Sequence, residues 1–378
     1  MVHARRPGVA LALPPAARGA ALAALAIFLL AVAEGGFFPS AWRFGAAALG
    51  ATAALLALWS PSVRLTRTAG LFLAALTALC VWSLASAAWS VDPAASLLDT
   101  QRTVLYLAAA ASFVLVREGL TLGVLAGTTA VAAWSLGDRF VAGSAHDPFE
   151  GTLLTGPLGY ANALGAIAAI GVVLSAALTL EAAGRTRVLL AVPLVVLAPA
   201  LALTNSRGSW AATGVGLAAV AAVRTQRPKL AAAVVIGSAA LVAALLVATP
   251  GGIGVGDRAV YWHVARDTFS AQPLAGTGAG TFASVYAAAR NGGPAVRDAH
   301  SLYLQTAAEL GIVGLGLVAL FLALPLVAGL RARAAAPLGG LLVFVLHAGI
   351  DWDWQMPAVT VAGIALAAAL VAHVRPSG

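Results

Sequence analysis

Apolar runs of about 15 to 30 residues alternate with short polar breaks along nearly all of the 378-residue chain. A helix that crosses a bilayer needs roughly 20 mostly apolar residues. Breaking the chain at Pro, Gly and charge clusters predicts twelve of them, at about 17–35, 41–59, 68–88, 97–116, 119–136, 157–180, 187–204, 209–223, 229–249, 301–330, 335–351 and 357–374. The pattern therefore predicts an all-α, polytopic transmembrane bundle of about twelve spans, a single integral membrane domain over residues 1–378. One long polar segment, 250–300, interrupts the rhythm. Within it, "DRAVYWHVARDTFSAQP" (257–273) has helical spacing, with Trp262, Ala265 and Phe269 on one stripe and Arg258 and Arg266 on either side of Trp262. That spacing predicts a short extracytoplasmic helix at the membrane interface, just before the tenth span.

Composition agrees with the pattern. The chain is 61% hydrophobic and only 10% charged, with a mean hydropathy of +0.93, whereas a soluble domain carries about 25% charged residues. Residues 1–33 have a basic start, an apolar middle and "AVA" at 31–33, as a signal peptide does. The many spans that follow favour an uncleaved first transmembrane helix. The single cysteine, Cys80, excludes an intrachain disulfide and a Cys-based metal site. None of the six histidines has metal-ligand spacing, so neither a metal nor a cofactor is expected.

Charge fixes the expected orientation. With the N-terminus in the cytoplasm, the inner breaks hold 14 basic residues against two acids, and the outer ones hold 8 against 12. This is the positive-inside pattern. It predicts both termini in the cytoplasm, and it explains the pI of 10.7 without a nucleic-acid partner.

The unusual residues then fall on the outer face. Eight arginines lie where topology does not require them, among them Arg207 in the short turn "TNSRGS" (204–209), Arg258 and Arg297. Their pattern fits anion ligands or solvated, snorkelling charges. His300 sits in "RDAHSLYLQTAAELG" (297–311), at the mouth of the tenth span. On a helix starting near Asp298, Arg297 and Tyr303 flank His300, and Glu309 points the opposite way. An imidazole with a pKa of roughly 6.5 is mostly neutral at pH 7 and can accept a proton; a helix cap or interface anchor is the other reading. His347 and Asp351, four apart on one expected helix face, read as a structural pair or as a site role for Asp351. "GTGAGTF" (276–282) reads as a tight turn whose N–H groups are able to hold an anion.

Six stretches taken together resemble the O-antigen ligase and O-antigen polymerase superfamily of bacterial polytopic membrane proteins. They are "AAWSVDPAASLLDTQR" (87–102), "GPLGYANALGA" (156–166), "TNSRGSW" (204–210), "DRAVYWHVARDTFSAQPLAGTGAGTF" (257–282), "DAHSLYLQTAAELGIVGLG" (298–316) and "HAGIDWDWQMP" (347–357). They occur in the expected order and cover most of the chain after residue 85. Two departures stand out: Ser301 follows the histidine where relatives often have Asn, and Ala161 precedes Asn162 where they often have Pro. The resemblance implies glycan transfer on the outer face of the bacterial cytoplasmic membrane. The implied donor is a glycan on a polyprenyl (undecaprenyl) diphosphate, and the acceptor is a sugar hydroxyl on a lipid-linked or wall glycan. It also implies His300 as general base and Arg207 and Arg258 as diphosphate ligands, with Arg297, Asn162 and Asp351 as weaker correspondences; Tyr303 joins them as a supporting residue on its helical spacing from His300. Three alternatives remain at this point: a transporter, a metal-dependent polymerase with Asp351, Asp298 or Asp257 as base, and an envelope scaffold. Transport fits poorly, because transporter sites use polar groups at the membrane midplane.

Overall fold

The computed structural model describes residues 14–59, 64–142, 150–248, 258–290 and 295–372. Asp257, the basic start of the chain and parts of the 250–300 segment lie outside these residues. In lipid each backbone N–H and C=O must be satisfied within the chain, which favours helix for every long apolar run. Fifteen α-helices follow among the described residues. They are α1 (Pro15–Val32), α2 (Pro39–Trp59), α3 (Arg67–Ser86), α4 (Pro93–Val116), α5 (Leu120–Gly137), α6 (Ala161–Glu181), α7 (Gly184–Ala191), α8 (Leu194–Leu203), α9 (Arg207–Arg224), α10 (Pro228–Ala248), α11 (Arg258–Ala271), α12 (Phe282–Ala289), α13 (Leu302–Ala332), α14 (Ala335–Ala348) and α15 (Pro357–Val371).

Polar side chains set where these helices begin. Thr66, Asp92, Ser206 and Ser301 each accept a hydrogen bond from the backbone N–H three residues on, capping α3, α4, α9 and α13. Seven helical segments are long and apolar enough to cross a membrane: α1, α2, α3, α5, α6, α7 with α8, and α13. The other five expected spans correspond to α4, α9, α10, α14 and α15. Of these, α14 and α15 are only 14 and 15 residues long. The first half of α4 carries Asp99, Gln101 and Arg102.

The main core runs through α1, α4, α5, α6, α14 and α15. Close approach of α1 and α5 depends on small residues at spacing four, Gly119, Gly123 and Gly127. A methyl group at Gly123 would lie 2.4 Å from the Ala20 carbonyl oxygen on α1. The loops collect at two ends. At one end, the turn after α1, the α3–α4 turn, the α8–α9 turn, α11, α12 and the α14–α15 turn meet; for example, Trp89 Nε1 donates to the Ala275 carbonyl at 3.3 Å. At the opposite end, Arg117 donates to the Arg64 carbonyl at 2.7 Å, and Thr66 donates to the Val371 carbonyl at 2.8 Å.

Two expectations about local geometry are corrected. The helix expected to run from Asp298 begins at Leu302, and residues 295–299 and 301 have no regular structure. Ser301 caps the helix and His300 takes φ +54°, a left-handed conformation that ends the helix on its N-terminal side. The stripe on α11 is also turned inward. Tyr261, Trp262 and Ala265 are buried, and α11 packs on α13. Trp262 Nε1 donates to the His300 carbonyl at 3.4 Å; the indole N–H finds a protein carbonyl there.

Candidate functional site

The end of the bundle that gathers the long loops also gathers the buried polar groups. Asp351, just past α14, is 1% exposed. Four donors reach it from distant parts of the chain. Tyr160 Oη donates to Oδ1 at 2.8 Å, Asn162 Nδ2 to Oδ2 at 2.9 Å, Arg258 Nη2 to Oδ2 at 2.6 Å, and the Trp352 N–H to Oδ1 at 2.7 Å. Burial pushes the Asp351 carboxyl up, but Arg258, His347 and His300 outweigh it and hold its pKa below the ordinary 3.8. Burial and the Asp351 charge raise the Tyr160 phenol well above 10, so it remains a donor. Asp351 is thus an ionised acceptor with its oxygens occupied.

That carboxylate orients Arg258. A second donor of Arg258, Nη1, reaches the Ile350 carbonyl at 2.7 Å. Two of the five guanidinium N–H groups are thereby fixed. The side chain remains 27% exposed, so donors stay available for an anion.

His300 lies on the same side. Its ring is 5.2 Å from that of Tyr261 and 6.5 Å from that of Trp352, centroid to centroid, and Trp352 stacks on Tyr160 at 4.5 Å. His300 Nδ1 is 3.0 Å from the Asp298 carbonyl oxygen. A carbonyl only accepts, so Nδ1 carries the proton and Nε2 keeps a free lone pair. Burial lowers the His300 pKa below 6.5; Asp351 opposes the shift and Arg258 adds to it. The imidazole is neutral at pH 7 and its basic nitrogen is Nε2.

Arg207 is the first residue of α9 and is exposed. Among the described residues it makes no ion pair or hydrogen bond through its side chain. Its neighbour Gly208 lies against His347 and Ile350, and Ile350 is the residue that holds Arg258. Arg207 and Arg258 therefore flank the same turn. The Arg297 guanidinium sits 4.7 Å above the Phe37 ring, which in turn lies 5.6 Å from the ring of Trp352. Tyr303 turns away from His300. Its hydroxyl donates to the Val345 carbonyl at 2.8 Å, beside an apolar cavity of about 270 Å³ between α10, α13 and α14.

The expected His347–Asp351 pair gives way to a different one. α14 ends at Ala348, so the four-residue helical spacing no longer applies at Asp351. His347 Nδ1 donates to Asp353 Oδ2 at 3.0 Å, and Nε2 is 3.0 Å from Ser209 Oγ, which contacts Ser206 Oγ at 2.9 Å. All four side chains are at most 2% exposed. This chain of bonds ties the start of α9, and so Arg207, to the α14–α15 turn.

The glycine-rich turn holds a carboxyl group, and that group is the protein's own. The N–H groups of Gly280 and Phe282 donate to the Glu309 carboxylate at 2.9 and 3.0 Å, and Gln305 adds a third bond at 3.1 Å. Sequence reasoning missed Tyr160 as a ligand of Asp351, Trp352 as a neighbour of the His300 ring, and the Ser209–His347–Asp353 chain. Tyr160 and Asn162 are two apart in "YAN", the only available signal for the first of these.

The membrane-length helices define an integral membrane protein, and the buried polar groups mark a candidate site at one end of its bundle. Residues 192–319 match the family model described as O-antigen ligase, and that match supports the O-antigen ligase and polymerase superfamily, the family of the resemblance. The matched stretch carries Arg207, Arg258, Arg297 and His300; Asn162 and Asp351 lie outside it. No curated protein matches the chain.

Proposed function

We propose that the protein transfers or polymerises glycans on the outer face of a bacterial cytoplasmic membrane, taking them from a polyprenyl (undecaprenyl) diphosphate donor. The acceptor is a sugar hydroxyl on a lipid-linked or wall glycan. This reading includes twelve crossings, with α4, α9, α10, α14 and α15 as short or polar spans and both termini in the cytoplasm. The observation that carries it is the neutral His300, with Nε2 free, beside an arginine that a buried carboxylate holds in place. The family match supports glycan transfer of the ligase or polymerase type.

In the reaction, the acceptor oxygen bonds to C1 of the donor sugar while the C1–O bond to the diphosphate breaks. His300 Nε2 takes the hydroxyl proton, an effect worth about 10²- to 10⁴-fold. The electron pair of the broken bond goes to the diphosphate. Arg258 and Arg207 face the negative charge that develops there, and guanidinium groups bind phosphate oxygens in bidentate fashion. Asp351 positions Arg258, with Tyr160 and Asn162 fixing Asp351 in turn. Asp351 is a poor candidate for base, since four donors occupy its oxygens.

The test is transfer by purified protein from a polyprenyl-diphosphate glycan. Turnover that survives EDTA and falls at least 100-fold in His300→Ala, with membrane insertion intact, is expected. Wild-type turnover in both His300→Ala and Arg258→Ala would end the proposal. Activity that EDTA abolishes would favour the metal-dependent aspartate route.

A further inference from the structure

A polar cleft opens at the same end of the bundle, lined in part by Arg297 and Asp298. Its volume is about 280 Å³, and it lies between the starts of α2 and α4, α12 and the α14–α15 turn. Trp42, Asp99, Arg102, Arg297, Asp298 and Gln355 line it. Arg102 is 4% exposed, pairs with Asp99, and sits 5.7 Å and 5.9 Å from the centres of the Trp42 and Trp354 rings. Beneath it a smaller cavity of about 90 Å³, sharing Asp99 and Arg102, reaches Trp354.

Buried polar atoms in native proteins almost always have hydrogen-bond partners, so exceptions call for an explanation. Five buried side-chain atoms among the described residues have none; two of them, Trp42 Nε1 and Gln355 Oε1, belong to residues that line the cleft, and a third, Trp354 Nε1, to a residue of the smaller cavity beneath it. Trp42 and Gln355, which line the cleft, are 1% and 2% exposed. The Gln355 side chain makes no hydrogen bond among the described residues. An indole donor, an amide and carboxylates grouped around a small cavity suit a ligand that offers both donors and acceptors densely. Sugar hydroxyls do this.

We infer that this cleft is a saccharide subsite that takes one neutral or amino-bearing sugar ring through Trp42, Gln355 and Asp298. Three carboxylates, Asp92, Asp99 and Asp298, line it against two guanidiniums, Arg102 and Arg297, which disfavours an acidic sugar or a phosphate. At about 280 Å³ the space falls just below the usual range for a ligand pocket, about 300–1,000 Å³, so it holds a ring and not a chain. The assignment of that ring to a glycan substrate rests on the proposed function; the presence of a sugar site does not.

The test measures binding apart from chemistry. In a His300→Ala background, lactose and chitobiose are titrated against the purified protein by saturation-transfer NMR, with glucuronic acid as the acidic control. Binding of either neutral probe, weakened about ten-fold or more by Trp42→Phe, by Gln355→Leu and by Ala283→Phe, which fills the cleft from a lining position, is the expected result. Equal binding in all three variants, or preference for glucuronic acid, would overturn it, as would no binding by the parent protein. In the active protein the same variants are expected to raise KM for one glycan substrate about ten-fold with kcat within about two-fold; whether that substrate is donor or acceptor identifies the source of the ring. Sugar binding without any transfer activity would refute the proposed function and leave the subsite standing.

Discussion

His300 has a left-handed backbone, and such a conformation in a bulky residue persists only when its surroundings fix it. The Asp298 carbonyl holds one ring nitrogen and Trp262 holds the histidine's own carbonyl, so the other nitrogen carries the lone pair without a choice of tautomer. A base must be unprotonated to act, and burial lowers this imidazole below 6.5. Activity should therefore be flat through pH 7 and fall only below about pH 6.5, one proton switching it off; a pH–kcat/KM profile with its acid midpoint above 7 would contradict the assignment. Asp351 makes a second residue-scale prediction. Its place in the mechanism is to orient Arg258, so Asp351→Asn should lose about as much turnover as Arg258→Ala, roughly 10²- to 10³-fold. Combining Arg258→Ala with Asp351→Ala should add little to either alone. Additive losses would mean that Asp351 acts on the substrate independently.

At the scale of elements, the outer part of α13 is built around a break. Gly311 has φ 65° and ψ −165°, a conformation open essentially to glycine alone. A methyl group there would lie 2.2 Å from the Leu274 carbonyl oxygen. The break lets the Ile312 N–H reach the Pro273 carbonyl at 2.8 Å and seats the glycine-rich turn on Glu309. Gly311→Ala should cost about 3 kcal/mol, lowering the thermal midpoint in detergent by roughly 4 °C. Gly316→Ala, on the same helix with open space around it, should change it little. Long apolar periodicity made the helices legible in the sequence, and the site end was legible from where arginines collect against the charge rule. The start of α13 was not, because continuing a helical pattern through "DAHS" ignores the serine cap and the left-handed histidine. The ligands of Asp351 were hidden for another reason: Tyr160, Asn162 and Arg258 come from 93 to 191 residues away, and no local spacing reports contacts of that range. The same limit hid Asp353 as the partner of His347, since helical spacing stops being a guide where α14 stops.

The whole molecule separates its charge by end. Among the described residues, the end opposite the site holds eleven basic residues (Arg18, Arg64, Arg67, Arg117, Arg185, Arg187, Arg224, Arg227, Lys229, Arg331 and Arg333) against Glu118 and Glu181. The site end holds eight arginines against ten acids. Basic loops remain in the cytoplasm during insertion, so the site end should face outward, the leaflet in which a translocated lipid-linked glycan would be presented. Because Cys80 is the single cysteine, a Cys80→Ser background allows each end to be tagged alone. Ala287 on α12 is exposed at the site end, and Arg187 and Arg333 are exposed at the other. In intact spheroplasts a membrane-impermeant maleimide should label Ala287→Cys, and should label Arg187→Cys and Arg333→Cys only after permeabilisation. The inverse pattern would put His300 and the arginines in the cytoplasm. There they would face a different leaflet and a different pool of substrates, and the outward-facing glycan transfer proposed for this chain could not stand.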